Sequence, residues 1–387
     1  LVGSEMCIRD SIYYAGVNDH SIDLFEGMYK VPDGVSYNSY VIKDEKIAVL
    51  DTVDAAFGDE WLKNVREILG DRQPDYLVIH HMEPDHSSNI LNFLKIYPNV
   101  QVVGNSKTFV MIKEYFGFDV KNTCLVGEGS IIKLGRHSLR FIMAPLVHWP
   151  EVMVSYEELS GAVFSADAFG RFGALDVDMP WDDEARRYYI GIVGKYGPQV
   201  QQLLKKLGQL NVKKICPLHG PVLEEDLAHY ISLYDTWSAY RPEKEAVLVA
   251  YASIYGHTKA VAEMLADILV KAGKQVIVRD LARSDRAQCV AEAFMCSKLV
   301  LASVTYNAEI FPCMREFIDC LTERNFRART VGLIENGTWA PISAKLMRER
   351  LSGCKDLNIL SQTVKIRAAF GEENAAELEA LANELLK

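Results

Sequence analysis

Residues 81–86 read His-Met-Glu-Pro-Asp-His and follow, after His80, the apolar run Tyr-Leu-Val-Ile at 76–79. Two imidazoles and two carboxylates within six residues, on a loop stiffened by Pro84, can converge on a metal ion where a strand ends. The alternative is a solvated polar loop. Nitrogen and carboxylate donors without a thiolate select zinc, iron or manganese, and exclude soft-metal and blue-copper centres. Further metal-capable residues stand at strand or loop ends: His148 after RFIMAPLV, Asp167 closing GAVFSAD, and His219 in CPLHGP. Each alone is more often structural; it is their joint order that forms a ligand series. His81, Glu83, Asp85, His86, His148, Asp167 and His219 together offer four imidazoles and three carboxylates, enough for two ions bridged by one carboxylate. Two divalent ions against three carboxylates leave one positive charge, which a bridging hydroxide would neutralise. His80 is expected on the opposite strand face from His81, in a core or supporting position. His20, His137 and His229 read as surface or structural residues.

A second chemistry is written after the apolar run AVLVAYA, where Ser253-Ile254-Tyr255-Gly256-His257-Thr258 leads into a helix. Hydroxyls at 253 and 258, a glycine between them and a helix amino terminus make an anion cradle. The loop lacks the Gly-Lys-Ser/Thr ending of a triphosphate loop and the G-x-G-x-x-G of a dinucleotide site. A phosphate monoester held without lysine is what flavin mononucleotide requires; an ordinary N-cap turn is the plainer reading. The loops Thr305-Tyr306-Asn307-Ala308-Glu309 and Asn336-Gly337-Thr338-Trp339-Ala340-Pro341 follow the strands expected beside the first. Tyr255, Tyr306 and Trp339 can face a planar ring, and the three loops together resemble flavodoxin.

The elements that must position these residues fall into two patterns. From about 12 to 170 the chain alternates short strands and turns: a hairpin in SYNSYVIKDEKIAVLD, then strands at 76–81, 100–104, 138–144 and 161–167. Helical stretches intervene, and from 184 to 240 the period becomes helical, so the region predicts a two-sheet α/β sandwich. Around Arg241-Pro242-Glu243-Lys244 the chain becomes charged and then restarts with a buried-type strand. Five strands then alternate with helices, the last strand expected near 363–369, which predicts a doubly wound parallel sheet. The boundaries follow: 12–242 for the first domain and 243–387 for the second. Residues 1–11 (LVGSEMCIRDS) read unlike the rest and are expected to be a non-native leader.

The formal charge of −10 argues against a nucleic-acid partner, and no apolar run is long enough to span a bilayer. The eight cysteines contain no C-x-x-C pair, so an iron–sulfur cluster, a cysteine-bound zinc or an internal rubredoxin is not expected. Scattered core-like cysteines without a signal peptide suit a reducing cytoplasm.

The series H-x-E-x-D-H, His, Asp, His-Gly resembles the metallo-β-lactamase superfamily, whose hydrolases carry histidine where Glu83 stands. A carboxylate there makes the site harder and favours redox-active iron over zinc. A metallo-β-lactamase-like αββα sandwich ahead of a flavodoxin-like sheet resembles the flavodiiron proteins from about residue 12 onward. SYNSYVI, LVHWPE, SADAFG, YGHT and IENGTWAP carry the likeness, while Val304 departs from a family proline. The resemblance implies one iron on His81, Glu83 and His148, another on Asp85, His86 and His219, and Asp167 bridging. It implies FMN as the electron entry, held by Ser253, Ile254, Tyr255, Gly256, His257, Thr258, Thr305, Tyr306, Asn307, Asn336, Gly337 and Trp339. The implied activity is reduction of dioxygen to water, of nitric oxide to nitrous oxide, or of both. Two electrons from the iron pair and two from the flavin match the four that dioxygen needs. Also implied are a separate rubredoxin-like electron donor and a head-to-tail homodimer or dimer of dimers. A dinuclear zinc hydrolase with an appended flavodoxin domain, and a pure electron-transfer flavoprotein, are the competing readings.

Overall fold

The computed structural model describes residues 7–9, as backbone, and 11–387. The chain divides into two compact units: one runs to Tyr189 and resumes over Pro198–Asp235, the other joins Ile190–Gly197 to Thr236–Lys387. Among the described residues no helix is long and apolar enough to cross a membrane.

The first unit contains two mixed sheets. The seven-stranded sheet runs in the order Cys7–Arg9, Ile12–Tyr14, Tyr40–Lys43, Ile47–Leu50, Tyr76–Val78, Gln101–Gly104, Thr123–Leu125, and from Ile47–Leu50 onward its strands are parallel. The five-stranded sheet runs Ile131–Lys133, Ser138–Met143, Met153–Glu157, Ala162–Phe164, Lys214–Cys216. Ile42, Leu50, Val78 and Val103 meet Leu139, Phe141, Met153 and Phe164 in the core. Ile47–Leu50 is buried at every position because it is covered on both faces, which explains its unbroken apolar run. The helix Gly58–Leu69 buries Trp61, Leu62, Val65, Ile68 and Leu69, a stripe at helical spacing. Of the expected leader, residues 1–6 and 10 lie outside the described residues, and Cys7–Arg9 pairs antiparallel with Ile12–Tyr14.

One expectation needs correction. The strand at 76–81 stops at Val78, because the His80 N–H donates to the Asp51 carboxylate at 2.7 Å instead of continuing the ladder. His80 therefore stands on no strand face. It is buried in a hydrogen-bonded chain, Nδ1 to Asp51 Oδ2 at 2.6 Å and Nε2 to Ser155 Oγ at 2.8 Å. The core position holds although the strand argument for it does not. His20 and His229 are surface residues paired with Asp176 and Asp182, and His137 is buried against Glu157.

In the second unit the parallel sheet has the order Gln275–Asp280, Lys244–Ala252, Cys296–Tyr306, Thr330–Asn336, Asn358–Ile366. The last strand begins five residues before its expected place near 363, from Asn358. Its first half (NILSQ) is interrupted by exposed polar residues, as an edge strand tolerates, so only the later VKI shows as apolar. Helices His257–Lys271 and Glu372–Leu386 bury Leu265, Leu269, Leu378 and Leu381 in the core they share with the sheet.

Candidate metal centre and flavin cavity

The ligand-bearing loops of the first unit leave the ends of strands. Between Val78 and the one-turn helix Pro84–Ser87, His81 and Glu83 lie two residues apart and reach the same place. Pro84 opens the turn at N1, and the turn carries Asp85 and His86 to a second place. His86 is held by its own backbone, since its carbonyl accepts from the Thr52 N–H and hydroxyl at 2.8 Å each. Asp167 follows Ala162–Phe164, and His219 follows Lys214–Cys216.

All seven predicted side chains converge, in two clusters: His81, Glu83, His148 and Asp167; and Asp85, His86 and His219. Asp167 joins them. Its Oδ2 lies 3.0 Å from His148 Nε2 and 3.3 Å from His81 Nε2, while its Oδ1 lies 3.2 Å from His86 Nε2.

The tautomers make these clusters cation sites. His81 Nδ1 donates to Glu151 Oε1 at 2.8 Å, and His219 Nδ1 donates to the Ser36 carbonyl at 2.7 Å. A neutral imidazole that donates from Nδ1 presents a lone pair at Nε2. Those lone pairs meet carboxylate oxygens: His81 Nε2 is 3.2 Å from Glu83 Oε2 and His219 Nε2 is 3.3 Å from Asp85 Oδ2, with His86 Nε2 3.0 Å from His219 Nε2. Both oxygens of Asp85 and Oδ1 of Asp167 are buried without a hydrogen-bond donor among the described residues. Facing lone pairs and bare carboxylate oxygens in a desolvated pocket require shared cations.

Without metal, protons take that role. Burial opposes a charged His81, yet Asp167, Glu151 and Glu83 hold its imidazole well above the ordinary histidine range. Burial likewise disfavours charge on His148, but Asp167 and Glu83 lift it to about 9. Asp167 is held well below the usual carboxylate range, chiefly by His81 against the cost of its burial. Metal ions bound by these atoms would displace the protons.

Sequence reasoning left three neighbours unassigned. Glu151 lies in LVHWPE, three residues after His148, and its Oε1 also accepts the Met82 N–H at 2.8 Å. Ser36, in SYNSY, orients His219 through its carbonyl and accepts the Gly220 N–H on its hydroxyl at 2.8 Å. Tyr188 is buried with its ring 5.5 Å from that of His219, and its hydroxyl has no hydrogen-bond partner among the described residues. Burial, then the charges of Asp167, Glu83 and Asp85, keep that phenol protonated. No local motif marks a tyrosine on a helix as a neighbour of this centre.

Residues 35–220 match the model of the ODP family beta lactamase. Over 361 residues the chain is 30% identical to a protein named nitric oxide reductase from Moorella thermoacetica, covering 90% of each. The chain belongs to the flavodiiron proteins. The structure of rubredoxin oxygen:oxidoreductase from Desulfovibrio gigas superposes with a TM-score of 0.91 at 24% identity, covering 98% of this chain and 97% of the other. The flavodiiron protein of Giardia intestinalis gives 0.90 at 25% identity, covering 99% and 94%.

In the second unit of this flavodiiron protein, a cavity of about 600 Å³ opens at the carboxyl ends of the strands. Eleven of the twelve predicted residues line it: Ser253, Ile254, Tyr255, His257, Thr258, Thr305, Tyr306, Asn307, Asn336, Gly337 and Trp339. Gly256 is not among the lining residues; it caps the helix His257–Lys271 at φ +91°, a conformation that favours glycine. Ala368, missed from the sequence, lines the cavity from the loop after the last strand. Asn336 ties the loops together: its Nδ2 donates to Thr258 Oγ1 at 3.2 Å and to the Ala368 carbonyl at 3.0 Å, and its Oδ1 accepts the Ala368 N–H. Tyr255 is 89% and Trp339 83% exposed, so both rings project at the rim.

Proposed function

We propose that this flavodiiron protein reduces dioxygen to water, nitric oxide to nitrous oxide, or both, at a non-haem diiron centre supplied with electrons through FMN. The observation that carries the reading is Asp167, whose two carboxylate oxygens each face a separate cluster of nitrogen and oxygen donors. His81, Glu83 and His148 would hold one iron, Asp85, His86 and His219 the other, with Asp167 between them. Residues 12–242 would form the diiron domain and 243–387 the FMN domain, the flavin lying in the cavity lined by Ser253 to Tyr255, His257, Thr258, Thr305 to Asn307 and Asn336 to Trp339. When bound, the iron pair and the flavin supply the electrons that gas reduction consumes.

The chain's own residues do the rest. Glu151 and the Ser36 carbonyl hold His81 and His219 by Nδ1, so that Nε2 of each ring is the atom aimed inward. The buried rings of Phe25 and Tyr188 pack beside His219, with Phe172 against both, and exclude bulk water from that side. Tyr188 Oη keeps its proton and stands near the carboxylates as an uncommitted donor.

A separate rubredoxin or similar protein is the proposed electron donor, the chain is proposed to be cytoplasmic, and the proposed assembly is a head-to-tail homodimer or dimer of dimers. The exposed Tyr255 and Trp339 support a partner surface at the cavity rim. The test is metal and flavin analysis, followed by anaerobic reduction and stopped-flow mixing with each gas. Two irons and one FMN per chain, with rapid reoxidation by at least one gas, are expected. Two zincs with esterase or thioesterase turnover would overturn the reading in favour of the hydrolase.

A further inference from the structure

The two metal positions have matched donors: two imidazoles and one carboxylate each, plus the shared Asp167. What lies behind the imidazoles is not matched. His81 Nδ1 donates to the carboxylate of Glu151 at 2.8 Å, with Glu151 buried to 1% exposure. At the other position His219 donates to a neutral carbonyl, and the buried His86 Nδ1 has no hydrogen-bond partner among the described residues. An anion behind an imidazole draws its N–H proton outward and raises the basicity of the opposite nitrogen, an effect a neutral carbonyl produces only weakly.

We propose that Glu151 makes the two positions inequivalent, so that the ion held by His81, Glu83 and His148 binds first and leaves last. Glu151 is a positioning and charge-tuning residue: it touches no ion, acting through His81 alone. Its own placement is built in. Its Oε1 also takes the Met82 N–H at 2.8 Å, its backbone carbonyl accepts from Asn105 Nδ2, and its Oε2 is buried without a partner among the described residues. The negative charge is thus screened by little besides the imidazole it faces.

This inference rests on the metal-centre reading above, and one experiment separates the two. Metal-free full-length protein is titrated with cobalt(II), followed by ligand-field absorption and calorimetry. The wild type is expected to bind two ions in resolved steps. Glu151→Gln keeps the shape and both accepted hydrogen bonds but removes the charge. It should weaken the first step by about 10–100-fold and merge it with the second. Glu151→Asp, which retains the charge, should restore part of the separation, an outcome that a purely structural role would not give. Asp85→Asn should abolish the weaker step and spare the tighter one. Fewer than two ions in the wild type would overturn the metal-centre reading itself. Two ions in unresolved steps, or an unchanged separation in Glu151→Gln, would overturn the inference alone.

Discussion

Asn38 is buried to 1% exposure and braces the loop that carries His219. Its Nδ2 donates to the carbonyls of Pro217 at 2.8 Å and Gly220 at 2.7 Å, and its Oδ1 accepts from the Tyr14 hydroxyl at 3.0 Å. In Asn38→Ala the Pro217 carbonyl keeps the Tyr40 hydroxyl at 2.7 Å, and the backbone bond from the Asn38 N–H to the Leu218 carbonyl survives. The buried Gly220 carbonyl loses its donor outright, and Tyr14, partly buried, loses its acceptor. At about 1–3 kcal/mol for each buried orphan, and less where water reaches, the variant should lose about 2–4 kcal/mol. For a unit of this size that lowers the melting temperature by about 4–16 °C. The released loop also lets His219 drift from the Ser36 carbonyl, so the second ion should weaken by about 10–100-fold while FMN stays bound. Thermal melting by circular dichroism, with metal and flavin counts after gel filtration, reads all three effects. A melting temperature within about 1 °C of wild type and two retained irons would refute the reasoning.

Asp85→Ala or His86→Ala should lower iron content and gas reduction and leave flavin bound, as metal analysis and absorption spectra will show. Gly256→Val should do the reverse: no atom would meet the new Cβ within 4 Å, so the cost is the left-handed backbone at φ +91°, about 1–2 kcal/mol, and flavin titration should show weaker binding with iron intact. Glu157 works against its burial and is held down to about 2 by His137, Ser160 and the Leu159 N–H. Because the folded value is depressed, its stabilisation is complete above the unfolded value of about 4.5 and is lost as pH falls toward 2. Denaturant midpoints between pH 5 and 2 should therefore fall less steeply in Glu157→Gln than in the wild type.

The residue types and their order determined much of this protein. Four histidines and three carboxylates, each at the end of an apolar run, are legible because a metal site needs those donors and strand ends are where they can converge. The five alternating strands and helices after 243 were equally legible, since buried parallel strands are written as unbroken apolar runs. Only the tertiary structure decided which donors lie together, because that depends on His219 and Asp167 reaching across from the other sheet to the loop at 81–86. It also decided what stands behind the ligands. A glutamate at 151, a backbone carbonyl at 36 and an asparagine at 38 carry no local pattern that marks them, since their roles consist wholly of contacts between segments far apart in the chain. The end of the strand at Val78 has the same cause: the apolar run continues through Ile79, but the Asp51 carboxylate takes the His80 amide, and His80 and His81 turn to separate partners.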